Sequence, residues 1–314
     1  MSKRDPTSVL LPTVEWGPVC EQLHAVLNED DELLVLCDTP SDPVADRETP
    51  SGVDVVVAGE PSGCSGKANA LACGMERASN DRFVWTDDDF DRDPAWLDRL
   101  ITGSQRHGPT TLLPDFAGGG WWRLAKPALL LLLTVRTLLF ERRNSGEAFP
   151  WGGCVAFHRD DLETSVDALV SDLRRSLSDD LVLDTHLRGC RRDPDLDATV
   201  RVEGSADAVY HRLVRYMRAD HVHDGLEPEL VLWSVVAVIA LLFPLPAAAI
   251  ATLAVGGALA SVDQLRLDAV FAYPALLVLP VVIAMGIVVT DFEWTGRRYR
   301  VRAVDDVEVL DRDV

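Results

Sequence analysis

The chain has 314 residues, enough for one large domain or two smaller ones, so a complete enzyme core fits within it. Fifty acidic residues against 30 basic ones give a formal net charge of −20, which excludes a general nucleic-acid binder, since that needs a basic face to displace counterions from phosphates. The six cysteines (Cys20, Cys37, Cys64, Cys73, Cys154 and Cys190) include no CxxC pair, which excludes the usual zinc and thioredoxin-like motifs and leaves small, reduced, mostly buried thiols.

The N-terminus, MSKRDPTSVLLPTVEWG, holds no apolar stretch of signal-peptide length, so the catalytic part is expected to stay in the cytoplasm. Residues 8–13 (SVLLPT) form an apolar run with the look of a buried strand, and Val19, Leu23, Val26 and Leu27 carry helical spacing over 19–27. Residues 32–37 (ELLVLC) and 53–58 (VDVVVA) read as the next two strands. Residues 68–77 suit a helix, 82–86 (RFVWT) a fourth strand, and Pro94 opens a helix running to residue 101. This alternation predicts an α/β fold, a Rossmann-type, mostly parallel sheet with helices on both faces. Ligands of such sheets bind beyond the carboxyl ends of the strands.

The acidic clusters fall at those ends. Thr86-Asp87-Asp88-Asp89-Phe90 follows the fourth strand. Carboxylates two residues apart there can converge on one divalent cation whose other ligands are diphosphate oxygens; an acidic turn in an acidic protein is the plainer reading. Cys37-Asp38-Thr39-Pro40-Ser41-Asp42 ends the second strand, where Asp38 can accept hydrogen bonds from a base or ribose or simply sit in an Asx-type turn. Gly63-Cys64-Ser65-Gly66-Lys67-Ala68-Asn69 fails as a P-loop, with Pro61 at the first glycine and Ala68 at the magnesium-binding hydroxyl. It still places backbone N–H groups and Lys67, one of three lysines, at a helix start suited to phosphate.

Further on, Leu177-Ser178-Asp179-Asp180-Leu181-Val182 sets a carboxylate pair ahead of an apolar helix or strand. One carboxylate can serve as general base toward an acceptor hydroxyl, and a helix N-cap is the alternative. Arg212-Leu213-Val214-Arg215-Tyr216 can clamp a diphosphate and stack on a ring, or form a basic patch at lipid headgroups. Trp151-Gly152-Gly153 offers an indole for a sugar face, or a packed tryptophan beside a glycine turn. Residues 121–140, with Trp121, Trp122 and nine uncharged residues between Lys126 and Arg136, suit an interfacial helix, and a buried core helix otherwise. His221 and His223 lack a third ligand and read as linker residues.

From residue 228 the character changes. Residues 230–260 and 269–290 contain no charge, and each run exceeds the about 20 residues needed to cross the hydrocarbon core. Pro244 and Pro246 kink one span or mark a hairpin turn, so two crossings are expected, with three as the alternative. The arginines of the WTGRRYRVR tail favour the cytoplasmic side. The expected organisation is a catalytic domain over 1–222, a transmembrane anchor over 223–292 and a cytoplasmic tail over 293–314.

Taken in order, Asp38, the Lys67 segment, Asp87 and Asp89, Asp179 and Asp180, and Arg212-x-x-Arg215-Tyr216 before a hydrophobic end closely resemble family 2 glycosyltransferases, over about residues 8–220. The nearer likeness is to the membrane branch that includes ceramide glucosyltransferases and the hopanoid and carotenoid glycosyltransferases. Cys37 stands where that pattern often has a first aspartate, and Tyr216 where it has tryptophan. The resemblance implies a GT-A-like fold, a Mg²⁺ or Mn²⁺ cofactor, and transfer of a hexose from a UDP-sugar to a membrane lipid with inversion. It puts Asp38 on the uracil or ribose, Asp87 and Asp89 at the metal and diphosphate, and Asp180 (beside Asp179) in the base role. Arg212, Arg215 and Tyr216 would hold the diphosphate, and Trp151 and Gly152 would face the acceptor. A polyprenyl-phosphate sugar transferase and a non-catalytic membrane scaffold remain alternatives, and no protein partner is implied. The acid-rich, lysine-poor composition resembles that of cytoplasmic proteins of salt-loving archaea.

Overall fold

The computed structural model describes residues 4–139, 147–260 and 267–312. In chain order its elements begin with β1 (Thr7–Pro12), α1 (Pro18–Val26), β2 (Glu32–Cys37), β3 (Val53–Val57), α2 (Gly66–Arg77), β4 (Arg82–Thr86), α3 (Trp96–His107) and β5 (Thr110–Thr111). There follow β6 (Asp115–Gly118), α4 (Trp122–Leu139), β7 (Cys154–His158), α5 (Val166–Leu173), α6 (Asp179–His186), β8 (Arg191–Arg192) and β9 (Thr199–Val202). The chain continues with α7 (Ala206–Asp224), α8 (Glu227–Leu242), α9 (Pro244–Ala260), α10 (Ala272–Val288), β10 (Asp291–Trp294) and β11 (Arg297–Ala303). They divide into one unit of Met1–Pro114, Arg143–Val200 and Asp305–Val309, and a second of Asp115–Arg142, Arg201–Val304 and Leu310–Val314.

The first unit is built on a seven-stranded sheet ordered β3-β2-β1-β4-β7-β5-β8. Strands β3, β2, β1 and β4 run parallel, and β7 pairs antiparallel with both β4 and β5. The sheet is thus mostly parallel, with an antiparallel strand that the alternation of the sequence does not announce. The near-continuous Leu and Val of β1 and β2 are what a strand covered on both faces requires. Phe83, Trp85 and Phe157 are wholly buried, and Trp85 meets Phe157 edge-on at 5.5 Å. Five of the six cysteines are buried. Helix α3 begins at Trp96, two residues after Pro94, with Ala95 at its N-cap and a turn before it in which Asp93 accepts the Ala95 N–H (2.6 Å).

The second unit packs α4, α7, α8, α9 and α10 around Trp122, Leu132, Met217, Trp233 and Ile283. In α4 one face is core: Trp122 is buried, and Lys126, expected at a membrane edge, is buried against Asp115 at 2.5 Å. Trp121 stays exposed, and Phe140 lies outside the described residues. His221 and His223 sit in the last turn of α7, not in a linker, and His223 Nδ1 lies 2.9 Å from the Ala219 carbonyl.

The uncharged run 230–260 is not one span. Phe243 leaves the helical conformation (φ −128°, ψ 64°) directly before Pro244, whose missing N–H breaks the ladder. That leaves α8 with 16 residues and α9 with 17, both short of a bilayer. Among the described residues one helix, Asp268–Val288, with 21 residues and a mean hydropathy of 2.4, is long and apolar enough to cross. The expected multi-pass arrangement is revised accordingly.

Candidate active site

Three element ends of the first unit converge. Strand β4 delivers Asp87: the antiparallel register sets Thr86 opposite Cys154, and the Asp87 N–H donates to the Gly153 carbonyl at 3.0 Å. Helix α6 delivers Asp179 and Asp180 in its first turn, where carboxylates complement the helix dipole, while Ser178 caps the Leu181 N–H at 3.3 Å. Ser178 is thus the capping residue of this segment, and the two aspartates are not. Helix α2, capped by Ser65 on the Ala68 N–H (3.1 Å), delivers Lys67.

Lys67 Nζ lies 2.7 Å from Asp87 Oδ1 and 3.0 Å from Asp179 Oδ2, bridging the two carboxylates. The Gly152 N–H donates to Asp180 Oδ1 at 2.5 Å. A Cβ at Gly152 would stand 2.1 Å from Asp179 Oδ2 and 2.7 Å from Asp180 Oδ1, so this glycine is there for close approach to both acids.

Burial, together with the Asp179 charge, pushes the Asp180 carboxyl up to about 7 against the opposing pull of Lys67 and the Gly152 N–H. Burial works against the charged form of Lys67 as well, but Asp179, Asp87 and Asp180 outweigh it and hold the ammonium above the usual lysine range. A half-buried carboxyl that titrates near neutrality, within a set of fixed opposite charges, can take up and release a proton under working conditions.

Of the other residues singled out from the sequence, Asp89 is exposed one position beyond Asp88, which accepts a hydrogen bond from Thr13 Oγ1 at 2.6 Å. Asp38 is buried just after β2, in a turn where Asp42 accepts the Asp38 and Thr39 N–H groups at 2.9 and 2.7 Å. The Trp151 ring lies 5.3 Å from Phe90, and the Trp151 main-chain N–H donates to Thr111 Oγ1 at 3.1 Å. Arg212, Arg215 and Tyr216 belong to the second unit, on α7. There Arg212 Nη1 donates to the Tyr216 hydroxyl at 3.0 Å, and the Arg215 guanidinium stands 5.0 Å from the Tyr216 ring.

Among the described residues no set of three His, Cys, Asp or Glu side chains could hold a metal ion unaided. Asp87 and Asp89, the latter exposed just past the end of β4, are the carboxylates that would hold a divalent cation.

Arg92 is a site residue the sequence did not single out. Its guanidinium lies 3.7 Å from the Phe90 ring and 5.2 Å from Trp96. It donates to Thr86 Oγ1 (2.6 Å), to the Phe90 carbonyl (2.9 Å) and to the Asp87 carbonyl, tying down the acidic turn. Burial lowers it to about 10. The only sequence signal was its position between two aromatics just past the triplet.

No curated protein matches the chain. Solved structures that resemble it include glucosyl-3-phosphoglycerate synthase from Mycobacterium tuberculosis in complex with UDP, at 18% identity and a TM-score of 0.41, covering 70% of this chain and 82% of that one. The same synthase with Mn²⁺, UDP-glucose and glycerol 3-phosphate resembles it at 17% identity and a TM-score of 0.39, covering 68% and 79%. A further mycobacterial protein does so at 15% identity and 0.37, covering 68% and 74%. The model of Glycosyl transferase family 2 matches residues 8–165, half of the chain, from β1 through β7 and including Lys67, Asp87 and Gly152. The chain belongs to glycosyl transferase family 2, with a GT-A-like α/β fold.

Proposed function

We propose that this glycosyltransferase moves a hexose from a UDP-sugar to a hydroxyl or phosphate of a membrane lipid, inverting the anomeric centre. The observation that carries the chemistry is the half-buried Asp180 carboxyl, pushed up to about 7 at the head of α6 beside Lys67 and the buried Asp179. Asp180 takes the proton of the acceptor hydroxyl as its oxygen bonds to the anomeric carbon, and the bond from that carbon to the diphosphate breaks on the opposite face. Asp87 and Asp89 would hold Mg²⁺ or Mn²⁺, which when bound offsets the charge of the departing diphosphate. Lys67 bridges Asp87 and Asp179, and its charge limits the rise that Asp179 imposes on Asp180. Asp38 takes the uracil or ribose, Arg212, Arg215 and Tyr216 the diphosphate, and Trp151 with Gly152 the acceptor side.

The lipid acceptor is supported by the second unit, whose helices are apolar on the outside. Buried positions of α8, α9 and α10 include Ala237, Ala240, Ala251, Ala275 and Gly286. Exposed ones include Leu242, Leu245, Ile250, Leu253 and Val281, each 62–83% exposed. Trp233, Leu259, Leu279 and Ile283 are buried among the small ones, so it is the exposed large apolar residues that suit lipid rather than water. The unit is read as embedded in the cell membrane, with the catalytic unit on the cytoplasmic side.

Asp180→Asn is expected to lower transfer by about 10²–10⁴-fold, the usual worth of a general base, with UDP-sugar affinity within a few-fold. Normal turnover in that variant removes Asp180 from the role. A product labile to mild acid identifies a phosphate acceptor in place of a hydroxyl.

A further inference from the structure

Strands β10 and β11 of the second unit form a hairpin that is more heavily fixed than a tail needs to be. Asp291 and Arg300, opposite each other across β10 and β11, form a bidentate ion pair at 2.8 and 2.7 Å. Phe292 and Tyr299 are fully buried and stacked at 6.0 Å. Arg218 donates from α7 to the Val301 (2.8 Å) and Arg302 (3.1 Å) carbonyls of β11, and the Glu293 N–H donates to His211 Nδ1 on α7 at 3.1 Å. The two turn residues, Thr295 and Gly296, both have positive φ (50° and 68°), the pairing of a type I′ turn. Threonine is β-branched and ill-suited to that region, a conformation kept only where the surroundings impose it.

What this hairpin presents is Trp294, the residue before the turn. Its ring lies 4.1 Å from the Arg215 guanidinium, closer than Tyr216 at 5.0 Å. Arg215 is thus flanked by two aromatic rings. Among the described residues it has no hydrogen-bond or ion-pair partner, although the chain carries 50 carboxylates. A planar cation held by ring faces, with its five N–H donors unspent, is prepared for a planar bidentate acceptor such as a phosphate.

We propose that Trp294 is a positioning residue of the donor site: by stacking on Arg215 it holds the guanidinium in readiness for the donor diphosphate. The proposal rests on the reading above that Arg215 binds the diphosphate. Trp294 is half-buried and also packs on Tyr299, the rings 6.1 Å apart, so a thermal melt of Trp294→Ala accompanies the test and must show the fold retained.

The test is calorimetric binding of UDP to the full-length, detergent-solubilised protein, with steady-state kinetics on the UDP-sugar. Trp294→Ala is expected to weaken UDP binding and raise the donor KM by about 2- to 30-fold, the range of a cation–π contact, with kcat within about 3-fold. Trp294→Phe should recover most of the loss, and Trp294→Ala in an Arg215→Ala background should add nothing further. UDP affinity unchanged by Trp294→Ala but weakened by Arg215→Ala overturns the role of Trp294 alone. An equal loss from Trp294→Ala with and without Arg215 does the same. Affinity unchanged by Arg215→Ala overturns the diphosphate reading beneath it, and this inference with it. Loss of membrane association in Trp294→Ala with UDP affinity intact assigns the indole to the lipid surface instead.

Discussion

Gly152→Ala tests the site with a single methyl group. The added Cβ would stand 2.1 Å from Asp179 Oδ2 and 2.7 Å from Asp180 Oδ1, where an ordinary carbon–oxygen contact is about 3.3 Å. The acids must therefore retreat by about 1 Å, a displacement that in an active site costs about 10²-fold in rate. The main-chain N–H that bonds Asp180 is retained by alanine, so the substitution alters position and not chemistry. Overpacking should cost about 1–3 kcal/mol of stability. Asp38 and Asp89 are not among the atoms displaced, so UDP affinity should change little. The assay pairs UDP release from the UDP-sugar, with acceptor present, against UDP binding and a thermal melt on one preparation. A folded Gly152→Ala protein that turns over within about 3-fold of the parent would refute the argument that Asp179 and Asp180 work from this spot.

The pH dependence follows from Asp180. Its basic form is the active one, so kcat/KM should climb with pH through about 7, and Asp180→Asn should lack that limb. For stability the sign is opposite. The folded value lies above the ordinary carboxyl value of about 4, so the stabilising contribution of this group is present below about pH 4 and is lost as pH rises through about 7. A melting temperature that falls over that window in the parent, and less so in Asp180→Asn, is the expected result. In the second unit, Gly286→Ala would bring a Cβ to 2.3 Å from Met217 Cβ and 2.6 Å from its carbonyl carbon. Because backbone cannot yield as a side chain does, α7 and α10 should separate. The expected outcome is a loss of at least about 1–3 kcal/mol, read as a lower melting temperature in detergent.

Much of the first unit was legible because parallel strands buried on both faces write themselves as short apolar runs. The bounds of β2 and β4 match residues 32–37 and 82–86 as read from the sequence. Strand β7 escaped because it enters the sheet antiparallel, outside the strand–helix rhythm. Asp87, Asp179, Asp180 and Lys67 could each be picked out, but nothing in their spacing says that Lys67 bridges the two acids, since that contact is set by where α2 and α6 start against the sheet. In the run 230–260 the sequence left a kink or a hairpin turn open at Pro244 and Pro246, and the helix ends at Phe243, which leaves two shorter helices. Nothing in the sequence singles out Arg218. It is in fact buried, with donors on the carbonyls of Ile287, Val301 and Arg302, a role set by how α7 meets the end of α10 and β11.

The measurement that bears most directly on the account is binding and turnover of a panel of nucleotide-sugars by the detergent-solubilised protein in high salt, with and without Mn²⁺ or Mg²⁺. The account predicts metal-dependent recognition of one UDP-sugar, lost in a folded Asp89→Ala variant. Recognition that survives both chelation and Asp89→Ala, or none at all from folded protein, contradicts it.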